Sequence, residues 1–200
     1  MVSKFLIFRT DRIGDLLLTC PAILAIKEQY QDSHITLVAS KKNKEYAEGL
    51  KIFNKVILFP EKNLTQKIKF IFNLLKFNFD SILVFDGKDR SIISSLFIKS
   101  KNKVALIPSN KHHKFWKFFN IKFIKDDEKT SLINMHEQVL LSSEMKKNIS
   151  KFNFLKYKKD NEFSRNLPIK NYIHLHLDEK FTNNLYISTY TNFNITYEKF

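Results

Sequence analysis

The turn Asp11-Arg12-Ile13-Gly14-Asp15 combines residue types that could do chemistry. It follows the apolar run Phe5–Phe8, a predicted strand, so its carboxylates stand where ligands bind in open α/β sheets. Asp15 could act as a general base, or it could cap the next helix, and the spacing alone leaves both open. The chain has only three glycines, so the use of Gly14 here predicts a positive φ or a close approach of a ligand to the backbone.

A second polar segment, Asp86-Gly87-Lys88-Asp89-Arg90-Ser91, follows another predicted strand. Both segments leave the sheet at its carboxyl edge and are expected to face one crevice. Lys88 and Arg90 could bind a phosphate or carboxylate there, and the alternative is a solvated helix start. Arg12 could hold an anion or pair with Asp11.

Three further sets of residues have structural alternatives. Thr19 could line the crevice or cap a helix restarted at Pro21. His136 is interpreted as a surface residue at a helix start rather than a catalytic group. His174 and His176 share one strand face, but no third ligand follows at a suitable spacing, so no metal site is predicted.

The elements that must position these residues alternate along the chain. Short β-branched runs between longer amphipathic ones predict βαβ units and a parallel sheet with helices on both faces, a Rossmann-like α/β fold. In the clearest helix, Ile68, Ile71, Phe72, Leu75 and Phe79 are expected on one face. Predicted strands are 4–9, 34–39, 55–59, 81–85 and 103–107; predicted helices are 15–30, 42–50, 64–77 and 89–100.

After Ile107 the pattern changes. A loop leads to the aromatic and basic segment 114–119, which is either core or a contact with lipid headgroups. Asn134 and Glu137 are spaced as a capping box for a helix ending near residue 146. We predict an amino-terminal domain over residues 1–147, a linker over 148–170, and the start of a second α/β unit over 171–200 with a strand at 172–177.

Composition bounds the class of protein. With 44% apolar residues the chain can bury a core, and its single cysteine, Cys20, favours a reducing compartment. The first apolar run is too short for a signal peptide, and no apolar stretch is long enough to span a membrane, so we expect a cytoplasmic protein. The net charge of +14 would suit nucleic acid or an anionic membrane. All but four of the 34 basic residues are lysines, a bias typical of AT-rich genomes, and the scarcity of arginine argues against sequence-specific DNA binding.

Residues 5–23 resemble the opening of the family 9 glycosyltransferases, the lipopolysaccharide heptosyltransferases and their relatives. Those proteins begin with an apolar strand, an R-x-G-D turn and a T-x-P-A segment, here Arg12–Asp15 and Thr19–Ala22. The family's catalytic base is the aspartate after the glycine, which matches Asp15. The family also has an Asp-x-x-Gly and basic segment similar to residues 86–91, although its spacing is usually one or two residues longer.

The resemblance implies the acceptor-binding half of a two-domain GT-B enzyme that transfers a heptose-like sugar with inversion. The donor would be an ADP-linked nucleotide sugar, and the acceptor a lipid-linked or lipopolysaccharide-core glycan at the inner membrane surface, with no further cofactor or metal. Arg12, Gly14, Thr19, Asp86, Lys88 and Arg90 would then contact the acceptor, and Lys180 the donor phosphate. The family's later donor-site motif is absent, so we expect either part of a longer gene product or a truncated paralogue.

Two other classes stay open. One is a non-catalytic Rossmann-like domain that binds a glycan or a protein. The other is a basic nucleic-acid-binding module, which lacks any recognised motif and is disfavoured.

Overall fold

The computed structural model of the protein describes residues 2–61, 63–108, 121–125 and 129–145. This part of the chain contains six strands and five helices, which alternate up to β5. The strands are β1 (Lys4–Arg9), β2 (His34–Ala39), β3 (Lys55–Leu58), β4 (Phe79–Val84), β5 (Ser100–Ile107) and β6 (Lys122–Lys125). The helices are α1 (Ile13–Gln29), α2 (Lys44–Gly49), α3 (Leu64–Leu75), α4 (Asp89–Phe97) and α5 (Leu132–Ser142).

The six strands form one parallel sheet in the order β3-β2-β1-β4-β5-β6. The chain builds outward from β1 to β3 and then returns to β4, so the strand order reverses between β1 and β4. Ligands of such sheets bind outside the carboxyl ends of the strands at this reversal. The predicted Rossmann-like α/β fold is confirmed.

Helices cover both faces of the sheet because successive residues of a strand point to opposite sides. On β1, Phe5 and Ile7 pack in the core under α1, α2 and α5, while Leu6 and Phe8 pack in the core under α3 and α4. Burial on both faces explains why β1 and β2 appear in the sequence as continuous apolar runs.

The predicted elements differ from the structure most at the carboxyl side. The predicted helix 89–100 ends at Phe97, and β5 begins at Ser100, three residues before the predicted strand. Strand β6 was not predicted, because it has only two apolar residues between two lysines, in a region already rich in both. It pairs in parallel with β5, from Val104 opposite Lys122 to Ile107 opposite Lys125.

The predicted apolar face of α3 is wrong in part. Phe70 and Leu74 are the buried residues of this helix, whereas Ile68 and Phe72 are exposed. Apolar residues occur on more than one face of α3, so periodicity alone could not choose the face that meets the sheet.

Two predicted helix caps are also wrong. Helix α1 is continuous through Pro21, so it does not restart there and Thr19 does not cap it. Helix α5 begins after Ser131, whose hydroxyl accepts a hydrogen bond from the Asn134 amide at 3.3 Å, instead of at an Asn134 and Glu137 capping box.

Several predictions lie outside the described residues. They concern the segment 114–119, the linker 148–170, the strand 172–177 with His174 and His176, and Lys180. The proposed domain boundaries stay predictions.

Candidate functional site

Asp15 lies in the first turn of α1, at the carboxyl end of β1. Its Oδ2 atom accepts a hydrogen bond from the Arg12 amide at 3.3 Å, as a capping carboxylate does. Its side chain is nevertheless 38% exposed and lines a cavity beside the strand reversal. Asp15 can therefore cap the helix and also act as a general base, because capping leaves the carboxylate accessible from the cavity.

The buried Arg9 side chain supports this turn from below. Its Nε atom donates to the Asp15 carbonyl oxygen at 3.1 Å, and its Nη1 atom donates to the Phe85 carbonyl oxygen. Its guanidinium also forms ion pairs with Asp11 Oδ1 at 3.2 Å and with Asp15 Oδ1 at 3.7 Å. Arg9 therefore joins the ends of β1 and β4 to both carboxylates of the turn.

Burial shifts the pKa values of this ion-pair cluster. It lowers the pKa of Arg9, although the negative charges of Asp11, Asp15 and Asp86 act to raise it. Burial raises the pKa of Asp11 to about 6; the Arg9 charge opposes this rise, while Asp15 and Asp86 add to it. Asp11 therefore holds its proton up to mildly acidic pH. Its ion-pair partner is Arg9 and not Arg12.

Asp86 connects the loops that follow β1 and β4. Its Oδ2 atom accepts hydrogen bonds from the Thr10 amide at 3.1 Å, the Thr10 hydroxyl at 2.6 Å and the Ser91 hydroxyl at 2.7 Å. Its Oδ1 atom accepts from the Lys88 amide at 3.2 Å. These four hydrogen bonds give Asp86 a structural role, since they fix the two loops against each other.

Lys88 and Arg90 reach across the strand reversal to the same backbone group. Lys88 Nζ donates to the Thr10 carbonyl oxygen at 2.9 Å, and Arg90 Nη2 donates to it at 3.0 Å. The Arg90 guanidinium also lies 5.3 Å from the centre of the Phe59 ring, within range of a cation–π interaction. Arg90 Nε is buried without a hydrogen-bond partner among the described residues. The two cations are thus held in place beside Asp15.

These groups surround a cavity of about 320 Å³ at the carboxyl edge of the sheet. It brings together Asp15, Arg12, Lys88 and Arg90, which the sequence singled out as candidates. It also contains residues that follow the neighbouring strands or complete the two turns and were not predicted; these are Thr10, Asp11, Ser40, Lys42 and Glu61.

Ser40 and Asn43 fix the loop after β2 against this turn. The Ser40 hydroxyl donates to the Asp11 carbonyl oxygen at 3.0 Å, and Asn43 Nδ2 donates to the Arg9 carbonyl oxygen at 2.8 Å. The signal for both was present in the sequence, because polar residues that directly follow a buried parallel strand lie at the ligand-binding edge.

The two glycines of the site have different requirements. Gly14 is in α1 without a positive φ, and a Cβ placed there would meet no atom within 4 Å. The predicted positive φ is therefore wrong for Gly14, and its lack of a side chain leaves open space beside Asp15. Gly87, by contrast, has a φ of +59°, which glycine adopts readily.

We expect Gly87→Ala to lower the free energy of unfolding by about 1–3 kcal/mol, because alanine is strained at this φ. Its Cβ would also lie 3.3 Å from both the Leu106 carbonyl oxygen and Pro108 Cδ. Gly14→Ala is the matched control and should leave stability unchanged or raise it slightly, since alanine favours a helix. Urea unfolding of both variants measures the difference in the free energy of unfolding. Equal effects would contradict a conformational requirement for glycine at position 87 alone.

Thr19 and His136 lie behind the site and do not line the cavity. Thr19 is fully buried, and its hydroxyl donates to the Asp15 carbonyl oxygen at 2.8 Å.

His136 is 1% exposed, which corrects the predicted surface position. Its Nδ1 atom lies 3.2 Å from the Leu18 carbonyl oxygen, and its ring packs edge-on against Phe85. Burial and the nearby Arg9 charge lower the pKa of His136 to about 3, against the opposing effect of the Leu18 hydrogen bond.

No group of three or more potential metal ligands occurs among the described residues. None of their helices combines the length and apolar character needed to cross a membrane.

Comparison with solved structures places this fold among known ones. The family 9 glycosyl transferase from Veillonella parvula DSM 2008 aligns with a TM-score of 0.64 and 18% identity, over 80% of this chain and 46% of that one. In fold, the chain resembles family 9 glycosyltransferases. The ADP-heptose lipopolysaccharide heptosyltransferase II of E. coli aligns with a TM-score of 0.59 and 11% identity, over 80% and 47%. The E. coli heptosyltransferase WaaC with ADP aligns with a TM-score of 0.55 and 15% identity, over 70% and 46%.

The likeness to family 9 glycosyltransferases extends to the fold and not to the sequence as a whole. No protein-family model matches the sequence, and no curated protein matches it. The chain spans about half the length of the solved structures it resembles. Substrates and mechanism therefore have to be argued from the site itself.

Proposed function

We propose that this chain is the acceptor-binding half of an inverting glycosyltransferase. The observation that supports this most directly is the accessible Asp15 carboxylate in a cavity at the β1–β4 reversal, with four cationic side chains, those of Arg12, Lys42, Lys88 and Arg90, around it. The glycosyltransferase fold of the chain and the R-x-G-D turn at Arg12–Asp15 add to this support.

In the proposed reaction, Asp15 accepts the proton of an acceptor hydroxyl as that oxygen attacks the anomeric carbon of the donor sugar. The bond from that carbon to the nucleoside diphosphate breaks at the same time, and the diphosphate leaves with the electron pair. Arg9 acts as a positioning residue, since it holds both the backbone and the carboxylate of Asp15. Thr19 acts in the same way through its hydrogen bond to the Asp15 carbonyl oxygen. Gly14 leaves space for the acceptor beside the base.

The cations of the cavity suit an anionic acceptor. Arg12, Lys88 and Arg90 line it, and phosphate or carboxylate groups are their natural partners. Asp86 would act indirectly, by fixing the loop that carries Lys88. We propose a lipopolysaccharide-core or related glycan as the acceptor and an ADP-linked, heptose-like sugar as the donor. Solved structures with this fold contain ADP and an ADP-heptose analogue, which supports that choice. Lys180, outside the described residues, is the candidate for the donor phosphate.

The test is Asp15→Asn in the protein as its gene encodes it. Removing a general base should lower the turnover of sugar transfer by about 10²–10⁴-fold, while the thermal unfolding midpoint stays close to that of the unmodified protein. Asp32→Asn is the matched control, because Asp32 is an exposed aspartate in the turn before β2, at the opposite edge of the sheet. Release of nucleoside diphosphate from the donor is measured.

Two outcomes would count against the proposal. Transfer retained by the Asp15→Asn protein would remove this residue from the mechanism. If the unmodified protein bound a glycan without transferring any sugar, the non-catalytic binding domain would replace the transferase.

A further inference from the structure

Helices α3 and α4 carry an unusually apolar outer surface. On α3, Leu64, Ile68 and Phe72 follow one another at four-residue intervals and are 70%, 46% and 62% exposed. On α4, Ile93 and Phe97 have the same spacing and are 41% and 59% exposed. Residues four apart lie on one side of a helix, so each helix has an exposed apolar stripe. We call these five residues the α3–α4 surface.

This surface is separate from the face that packs on the sheet. The buried contacts of the two helices are made by Phe70 and Leu74 of α3 and by Ile92 of α4. Helices α3 and α4 also contact each other on that side of the sheet. Scattered apolar residues are normal at a protein surface, but two neighbouring stripes with two phenylalanines indicate an interaction site.

The charges around the α3–α4 surface are mostly positive. Residues 64–77 contain no aspartate or glutamate. Helix α4 has one acidic residue, Asp89, in its first turn, and residues 90–99 have none. Lys69, Lys76 and Lys99 are exposed on or next to the two helices. Lysine is depleted in the buried centres of protein interfaces. At a membrane surface, lysine instead favours binding, because its long stem lies on apolar surface while its charge meets anionic headgroups.

We propose that the α3–α4 surface binds an anionic lipid bilayer, with both helices lying in the headgroup layer. The phenylalanines and aliphatic side chains enter the boundary with the acyl chains, and the lysines contact lipid phosphates. Arg90, in the first turn of α4, lines the Asp15 cavity, and Phe97 lies two turns further along, so one short helix connects the cavity to the lipid-binding surface. The inference rests on exposure and charge and does not depend on the proposed sugar transfer.

The test is sedimentation of the full chain with vesicles of phosphatidylcholine, with and without phosphatidylglycerol. We expect binding to the anionic vesicles that weakens as salt is added. The double variant Phe72→Ser with Phe97→Ser should bind at least about tenfold more weakly, because two large apolar groups no longer leave water. The double variant Lys69→Gln with Lys76→Gln should lose roughly fivefold for each lysine at low salt.

Two controls make the test specific. Leu141→Ser changes an exposed apolar residue of α5 on the opposite face of the sheet, and it should bind as the unmodified chain does. Trp116→Ala with Phe119→Ala examines the aromatic segment singled out in the sequence and should also leave binding largely intact. Circular dichroism should show that all variants are folded.

Three results would overturn the proposal. The first is an absence of any preference for anionic vesicles. The second is binding that the phenylalanine variant leaves unchanged or that the Trp116 variant abolishes. The third is a dimer in solution that the phenylalanine variant dissociates, since that would assign the α3–α4 surface to a second copy of the chain.

Discussion

Replacing Arg9 by methionine should lower the free energy of unfolding by about 3–5 kcal/mol, the usual cost of removing one partner from a buried ion pair. The substitution leaves Asp11 without its cation and removes a donor from each of two carbonyl groups, those of Asp15 and Phe85. Urea unfolding followed by circular dichroism measures the loss.

A double variant separates charge from packing. If the unpaired Asp11 causes much of the loss, Arg9→Met with Asp11→Asn should recover about 1–3 kcal/mol, because no desolvated carboxylate then remains at that position. Arg9→Lys keeps the charge but not the geometry of the guanidinium, so it should lower the free energy of unfolding by less than Arg9→Met does. A loss below about 1 kcal/mol for Arg9→Met would show that the cation does not hold the site together.

Stability in acid should depend strongly on His136. Its pKa is about 3 in the folded protein against 6.5 ordinarily, so between these values the unfolded chain binds a proton that the folded chain does not. The stability that His136 contributes is therefore present above pH 6.5 and is lost by about 1.4 kcal/mol per pH unit as the pH falls. His136→Leu should remove this dependence, which unfolding titrations across the acid range will show.

Asp11 provides a control of opposite sign. Its pKa is raised from 3.8 to about 6, so its contribution to stability is present at low pH and is lost as the pH rises through this interval. Asp11→Asn should therefore make stability increase more steeply with pH over the same range in which His136→Leu makes it flatter. Changes in the same direction for the two variants would contradict the burial of one or the other.

The sequence predicted the sheet well for a physical reason. Strands β1, β2 and β4 are buried on both faces, so their apolar runs are continuous and bounded by polar turns. Strand β6 was missed because an edge strand with only two apolar residues between two lysines has no such signature. The buried face of α3 could not be identified because the helix has a second apolar side, the α3–α4 surface.

The sequence predicted those site residues that lie in the turns directly after the strands. Asp15, Arg12, Lys88 and Arg90 were found because they follow strands at the carboxyl edge of the sheet. Arg9 was missed because its role depends on its side-chain contacts with the turn and with Phe85, made from the same side of β1 as Phe5 and Ile7. The burial of His136 depends on how α5 packs against α1, which no local pattern in the sequence reports.

Because Lys88 and Arg90 both donate to the Thr10 carbonyl oxygen, the site can tolerate substitution of residue 10 during evolution. Every residue has a backbone carbonyl oxygen. A substitution of Thr10 would therefore remove the hydrogen bonds of its hydroxyl group but would keep the carbonyl oxygen to which both cations donate. Natural variation could therefore reshape this pocket's preference for its ligand while the positive charges keep their places.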